Sequence, residues 1–229
     1  MRQTDALNIL AFDTAMSGIS IGAINNDGKS AQRVMETARG QAAHLIPLIQ
    51  ETLEEIDVSF QDLDVIGVTR GPGSFTGLRI GLTTARTLGL SLNIPVIGLN
   101  TLDLMASHVD SNENVLVVLE TKRADFYARL YDANKTPMTE PIASDAASII
   151  QCTNNEPFML ASDCSDRFET EINKAISNAC TRTQPEPSKM IQMTHDLFIL
   201  GEETSIKPLY LRGADVSQPK VKPRKLKEA

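Results

Sequence analysis

The strongest constraint on the fold of this chain is an order of strands and helices that occurs twice. Each half of the sequence begins with a pair of apolar segments typical of strands, followed by a helical segment, a further strand and a further helix. Mixed strands and helices in two similar halves predict an α/β or α+β fold with two lobes. The second copy is shorter and less regular than the first.

The spacing of apolar residues predicts the individual strands and helices. Leu45, Ile49, Leu53 and Ile56 recur at helical spacing, whereas 19–23 alternates as a strand does. The first half predicts strands at 7–12, 19–23, 64–69 and 95–99 and helices from Gln41, at 75–92 and at 102–108. The second half predicts strands at 115–120, 124–131 and 158–161, helices at 143–152, 167–179 and 194–200, and a polar loop at 178–189.

Composition and charge argue against several classes of protein. The net charge of -7 argues against a chain that wraps nucleic acid, although the tail from Val216 is basic and could contact a partner with phosphates or an acidic face. No apolar run approaches the roughly 18–20 residues that span a bilayer, and Met1–Leu10 lacks the pattern of a signal peptide. We therefore expect a cytoplasmic protein without a membrane contact.

The sequence gives little indication of a metal site or of a disulfide scaffold. The cysteines and histidines stand far apart, at Cys152, Cys164, Cys180, His44, His108 and His195. None of them has a second ligand at metal-binding spacing, and an odd number of cysteines does not make a disulfide scaffold. The sequence predicts no metal and no cofactor.

Two segments could bind an anion: the corner after the first strand, at Asp13, and the segment GPGSFTGLR at the start of a helix, with Gly73 and Ser74. A helix N-terminus offers free N–H groups, and glycines let an anion approach the backbone. The alternative is a tight connection from strand to helix that Ser74 caps. The segment matches neither GxxxxGK[ST] nor a dinucleotide-binding GxGxxG.

Two enzyme classes stay open at this point. A nucleotide-dependent phosphotransferase or ATPase would use Asp13 and the loop at Gly71. A protease would need a nucleophile, but Ser74 does not lie in GxSxG and has no histidine near it in sequence.

The helix at 75–92 carries small residues at successive i, i+4 positions, namely Gly77, Gly81, Ala85 and Gly89. Each glycine inside a helix costs roughly 1 kcal/mol relative to alanine, so a compensating contact is expected. That contact could be the sheet of the same chain or a helix of a partner protein. The row alone does not separate the two.

The segment 68–104, VTRGPGSFTGLRIGLTTARTLGLSLNIPVIGLNTLDL, closely resembles the signature region of the TsaB family of bacterial tRNA threonylcarbamoyladenosine biosynthesis proteins. The opening ILAFDTA, the segment SGISIGAI, the hairpin VVLETKRADFYARLY and the late PLYLR follow in the family's order. The resemblance therefore extends over nearly the whole chain.

The resemblance implies the actin-like ATPase (ASKHA) fold, with two lobes of mixed sheets and flanking helices. The first lobe would be 1–103, completed by 212–229, and the smaller second lobe 104–211. It also implies kinship with TsaD, which transfers a threonylcarbamoyl group to an adenosine beside the anticodon of tRNA. Thr101 and Met105 stand where TsaD has two metal-binding histidines, which implies a noncatalytic chain.

The implied role is a scaffold that binds TsaD as a heterodimer and activates it, with TsaE in the larger complex. In isolation the chain would form a homodimer. It would contact tRNA indirectly or through the basic tail. This role favours the partner helix as the contact of the small-residue row. The residues implied in or near the contact are Leu45, Leu48, Gly77, Gly81, Thr84 and Leu88. The segments at 120–122 and 162–164 depart from the family's pattern, which argues against a ligand role for the second lobe.

Overall fold

The computed structural model describes residues 6–37, 39–202 and 204–212. The strands are β1 (Ile9–Asp13), β2 (Gly18–Ile24), β3 (Ser30–Glu36), β4 (Val65–Gly71), β5 (Val96–Asn100), β6 (Asn114–Glu120), β7 (Phe126–Tyr131), β8 (Ile142–Ser144), β9 (Phe158–Ser162) and β10 (Ala179–Thr181). The helices are α1 (Gln41–Glu55), α2 (Phe75–Leu92), α3 (Thr101–Ser107), α4 (Ala146–Gln151), α5 (Ser165–Ile172) and α6 (Pro187–Ile199), and Phe60–Asp62 forms a short 3₁₀ helix.

The two halves build the same sheet. The first sheet has the order β3-β2-β1-β4-β5, and the second has the order β8-β7-β6-β9-β10. In each sheet the second strand runs antiparallel to both neighbours, and the last two strands run parallel to the first strand of that half. This duplication confirms the predicted α/β fold of the actin-like type with two lobes.

Helices cover both faces of the first sheet, and this explains why β1 is buried at all five positions. Leu10 and Phe12 face the core under α1 and α2, with Leu45 and Leu82. Ile9 and Ala11 face the opposite core, which includes Met190 of α6. The alternation of side chains along one strand thus divides an apolar run between two cores.

The second sheet has the same arrangement. One face packs on α3, through Met105 and Val117, and the other packs on α4 and α5, through Ile149 and Phe168. Phe126 and Phe168 meet edge to face, with ring centroids 5.3 Å apart. The helix α3 contacts strands of both sheets and so joins the two lobes.

Most predicted elements of the first half agree with the structure, including α1 from Gln41 and α2 at 75–92. Several in the second half were wrong. The predicted helix 143–152 is the strand β8 followed by α4, and the predicted loop 178–189 contains β10 and the start of α6. The predicted helix 167–179 ends at Ile172 because Asn173 adopts a left-handed conformation.

The division into lobes at 103 and 104 stays a prediction. The chain returns to the first sheet from Pro187 onward, since α6 packs on β1, β2, β4 and β5. The segment 204–209 then lies along the β5 edge, where Gly98 donates to the Thr204 hydroxyl at 2.7 Å. The predicted completion by 212–229 lies almost entirely outside the described residues. Among the helices that the structure describes, none is long and apolar enough to cross a membrane.

Candidate functional site

The six residues expected at a partner contact differ widely in exposure. Leu45 is 1% exposed and belongs to the core under α1. Gly77 and Gly81 are also buried, whereas Leu48, Thr84 and Leu88 are half-buried at the surface of the helices.

The small-residue row of α2 faces the chain's own first lobe. A Cβ at Gly77 would lie 1.8 Å from the Thr14 carbonyl oxygen, and one at Gly81 would lie 2.6 Å from Thr14 Oγ1. A Cβ at Gly89 would lie 2.5 Å from a methyl carbon of Val96 in β5. The row therefore lets α2 approach the sheet and the corner after β1, which corrects its interpretation as the seat of a partner helix.

A different part of α1 and α2 is open to solvent. Ile46 is 41% exposed, and Pro47 beside it is exposed as well. On α2, Thr83 and Thr87 are exposed next to the half-buried Ile80. No Asp, Glu, Lys or Arg residue occurs at 80–85 or at 41–50. We call this surface the helix-pair face: Ala43, Ile46, Pro47, Ile80, Thr83, Thr84, Thr87 and Leu88.

Asp13 has a structural position. It is fully buried, and its carboxylate accepts hydrogen bonds from the Thr69 hydroxyl at 2.5 Å and from the backbone N–H groups of Ala15 and Met16. Burial raises the pKa of Asp13, and these hydrogen bonds oppose that rise. The carboxylate thus holds the corner after β1 and presents no oxygen to a ligand.

Gly73 and Ser74 serve the same connection. The Ser74 hydroxyl accepts from the Gly77 N–H and caps α2, and the Ser74 N–H donates to the Ala15 carbonyl at 2.7 Å. A Cβ at Gly73 would lie 2.6 Å from that same carbonyl oxygen. The capped, tight connection explains these residues, and their role in binding an anion stays a prediction.

The two positions at which the family resemblance implied lost metal ligands lie in α3. Thr101 and Met105 are both buried, and the Thr101 hydroxyl has no hydrogen-bond partner in the part of the chain that the structure describes. Among these residues, no group of three or more histidine, cysteine or acidic side chains could hold a metal ion.

A cavity of about 740 Å³ opens between the two lobes, and the two segments that the sequence offered for an anion contribute to its wall through Ala15, Gly73 and Ser74. Its walls include the corner after β1, the start of α2, the β6–β7 hairpin, the end of β9 and the segment at 210–212. Four basic and two acidic side chains line it: Arg79, Lys122, Arg123, Arg212, Glu120 and Asp163. These residues come from distant segments, so no spacing in the sequence brings them together.

The charges around the cavity are partly neutralised. Glu120 pairs with the Arg167 guanidinium, and Arg212 pairs with Asp125 at 3.0 Å. Asp163 accepts the Glu120 N–H at 2.8 Å, and burial raises the pKa of its carboxyl group. The cavity therefore keeps an excess of positive charge in a chain whose net charge is -7.

Comparison with known proteins gives a consistent set of relatives. The family model of TsaD, tRNA N6-adenosine threonylcarbamoyltransferase, matches residues 35–211. The chain is 37% identical over 131 residues to the tRNA threonylcarbamoyladenosine biosynthesis protein TsaB of Buchnera aphidicola subsp. Baizongia pistaciae, covering 55% of this chain and 58% of that protein. It is 30% identical over 140 residues to the Bacillus subtilis protein of the same name, covering 61% of each.

The chain thus spans about 60% of the length of these two relatives. Among solved structures, an uncharacterized protein from Pseudomonas aeruginosa with similarity to the peptidase YeaZ aligns with a TM-score of 0.76 at 20% identity. The alignment covers 90% of this chain and 100% of that one. At this identity the likeness concerns the fold.

Proposed function

We propose, because the chain belongs to the TsaB family of tRNA threonylcarbamoyladenosine biosynthesis proteins, that it acts in this modification as a noncatalytic partner that binds and activates TsaD. One observation carries the proposal: the helix-pair face consists of aliphatic and threonine side chains without a charged residue, in a chain whose net charge is -7. The first ten residues of α1 carry no acidic side chain, whereas its last five include Glu51, Glu54 and Glu55.

Shared ancestry favours a helix-to-helix contact. The family model that matches residues 35–211 is that of the transferase itself, so the two proteins are expected to present equivalent helix pairs. Two similar surfaces can pack about a pseudo-twofold axis, and the same face then also serves a homodimer. Aliphatic and threonine side chains at such a face can be desolvated at low cost, unlike charged ones.

The noncatalytic part of the proposal follows from the residues at the expected reaction positions. Thr101 and Met105 are buried and offer one hydroxyl and one thioether, which do not replace two imidazoles as metal ligands. Asp13, the candidate for phosphoryl chemistry, is enclosed by three hydrogen bonds. Contacts with TsaE and tRNA and the cytoplasmic location stay predictions of the sequence.

The contact can be tested with exposed residues, so that the fold is not disturbed. Ile46→Arg adds a charge to the helix-pair face, and the guanidinium would be buried in the contact without a partner. The affinity for TsaD, measured by co-elution in size-exclusion chromatography, should therefore fall at least tenfold. Val34→Arg is the matched control: Val34 is 57% exposed on β3, on the side of the strand away from the Arg33 contacts with α1.

An affinity of Ile46→Arg for TsaD as high as that of the wild type would contradict the proposed face. Equal loss in Ile46→Arg and Val34→Arg would point to a different surface of the first lobe. Thermal unfolding of each variant, compared with the wild type, separates loss of contact from loss of fold.

A further inference from the structure

The chain returns from the second sheet to the first through a short segment that also touches the corner after β1. We call 182–186 the crossing segment, since it follows β10 and precedes α6. Gln184 and Pro185 within it are buried, although connections between elements usually run over the surface. At its end, the Glu186 N–H donates to His108 Nε2 at 2.7 Å, which holds the segment against the end of α3.

Two buried side chains join the crossing segment to the first lobe. Gln184 Nε2 donates to the Ser17 carbonyl oxygen at 3.0 Å. The Ser20 hydroxyl of β2 donates to the Pro185 carbonyl oxygen at 2.7 Å. A Cβ at Gly18 would lie 2.6 Å from Gln184 Nε2, so the glycine makes room for this contact. Because Gln184 and Ser20 are both buried, the loss of either hydrogen bond would leave a polar group without a partner.

The corner after β1, residues 14–18, also holds the first turns of α1 and α2. Gln41 begins α1, and its Nε2 donates to the Gly18 carbonyl oxygen at 2.8 Å. This contact takes the place of an N-cap, because α1 has neither a side-chain cap nor an acidic residue in its first turn. On the side of α2, the Thr14 hydroxyl donates to the Gly77 carbonyl oxygen at 2.7 Å. The crossing segment and both helices of the helix-pair face therefore meet at one corner.

We infer that the crossing segment positions the helix-pair face from the second lobe, because Gln184 and Ser20 brace the corner that holds α1 and α2. The inference rests on the proposed function, since it assigns a control to the surface proposed to bind TsaD. Gln184 and Ser20 are positioning residues, whose side-chain hydrogen bonds end at Ser17, Met35 and Pro185, outside the face. A displacement of the second lobe would reach the face through this chain of hydrogen bonds.

The first test measures the affinity of the full chain for TsaD by isothermal titration calorimetry. Gln184→Met and Ser20→Ala each remove one of the two bonds with little change in side-chain volume. Each should lower the affinity at least about fivefold, the lower end of the couplings usual between two sites. Ser165→Ala is the matched control, because its hydroxyl is also buried and shares a hydrogen bond, with Thr181 in the second lobe. It should change the affinity by no more than about twofold.

The second test is hydrogen exchange on the chain alone, which needs no TsaD. The backbone N–H groups at 45–48 in α1 and at 78–81 in α2 should exchange at least about fivefold faster in Gln184→Met and Ser20→Ala than in Ser165→Ala. Thermal unfolding of the three variants shows that the control loses a similar amount of stability. A general loss of stability would accelerate exchange equally in all three.

An unchanged affinity of Gln184→Met and Ser20→Ala for TsaD, or an equal loss in Ser165→Ala, would overturn the inference. Exchange at 45–48 and 78–81 that is as slow in both variants as in Ser165→Ala would also overturn it. A wild-type chain that does not bind TsaD would refute the proposed function, and the exchange measurement would then decide the inference by itself. The two variants lie in different segments, so either one tests the inference if the other does not fold.

Discussion

Gly77→Ala discriminates between the two interpretations of the small-residue row, because they predict opposite signs. If the row faced solvent or an absent partner, the added methyl group would stabilise α2 by up to about 1 kcal/mol through helix propensity. If it faces the corner after β1, the methyl carbon overlaps the Thr14 carbonyl oxygen, which would lie 1.8 Å away. The backbone of α2 must then move.

The loss of stability in Gly77→Ala depends on the contacts that the movement of α2 disturbs. Forced overpacking costs about 1–3 kcal/mol. The shift also weakens two hydrogen bonds of 2.7 Å, from the Thr14 hydroxyl to the Gly77 carbonyl and from the Ser74 N–H to the Ala15 carbonyl, each worth about 1 kcal/mol. After the gain in helix propensity, we expect a net loss of about 2–3 kcal/mol.

Thermal unfolding followed by circular dichroism measures this loss. For a chain of this length it corresponds to a decrease in Tm of about 5–10 °C. Thr83→Ala, on an exposed position of the same helix, should stay within about 0.5 kcal/mol of the wild type. A Gly77→Ala variant as stable as the wild type, or more stable, would refute the packing of the row against the first lobe.

Two further predictions concern buried polar groups. Thr69→Val removes the hydroxyl that donates to the buried Asp13, and it should lower the free energy of unfolding in urea by about 1–3 kcal/mol. The control Thr52→Val should cost less, because the Thr52 hydroxyl donates only to a helix carbonyl. Equal losses in the two variants would contradict the role of Asp13. Burial lowers the pKa of His108 from 6.5, and its charged neighbours are Arg182, Glu186 and Lys189. The folded state therefore binds the proton less readily than the unfolded state. The free energy of unfolding should fall by up to about 1.4 kcal/mol per pH unit as the pH drops below 6.5. His108→Gln should flatten this dependence in unfolding curves between about pH 7 and pH 5, and an unchanged slope would contradict it.

The His108 contacts give this pH dependence a structural basis. Its Nδ1 lies 2.5 Å from the Leu104 carbonyl oxygen, to which it must donate, and its Nε2 accepts the Glu186 N–H at 2.7 Å. A protonated ring would carry a hydrogen on Nε2 as well and would lose the second bond. The neutral ring therefore links α3 to the residue that precedes α6.

The first lobe could be predicted from sequence because its local signals agree with its tertiary structure. The helix α2 has an N-cap at Ser74 and an αL residue at Asn93, and its bounds matched. In the second half, short elements depend on pairing that the sequence does not encode locally. The three-residue strand β10 exists because Leu160–Ser162 of β9 lie beside it.

The candidate site was harder to predict than the fold. Small residues at i, i+4 positions indicate a close approach, but which backbone approaches depends on the orientation of the helix, and Thr14 is 63 residues away from Gly77. Ile46 and Thr83 carry no such signal, since exposed apolar residues are common on all proteins. The sequence singled out two wall segments of the cavity, at Ala15 and at 73–74, but it could not show that Lys122 of the second lobe lines the same cavity.

Threonylcarbamoyl transfer to tRNA, measured in a reaction reconstituted from TsaD and the remaining components with and without this chain, tests the central claim most directly. We predict that modification requires the chain, that Val34→Arg supports it as the wild type does, and that Ile46→Arg loses it together with the complex. Equal modification in the absence of the chain would contradict the proposed role in activating TsaD.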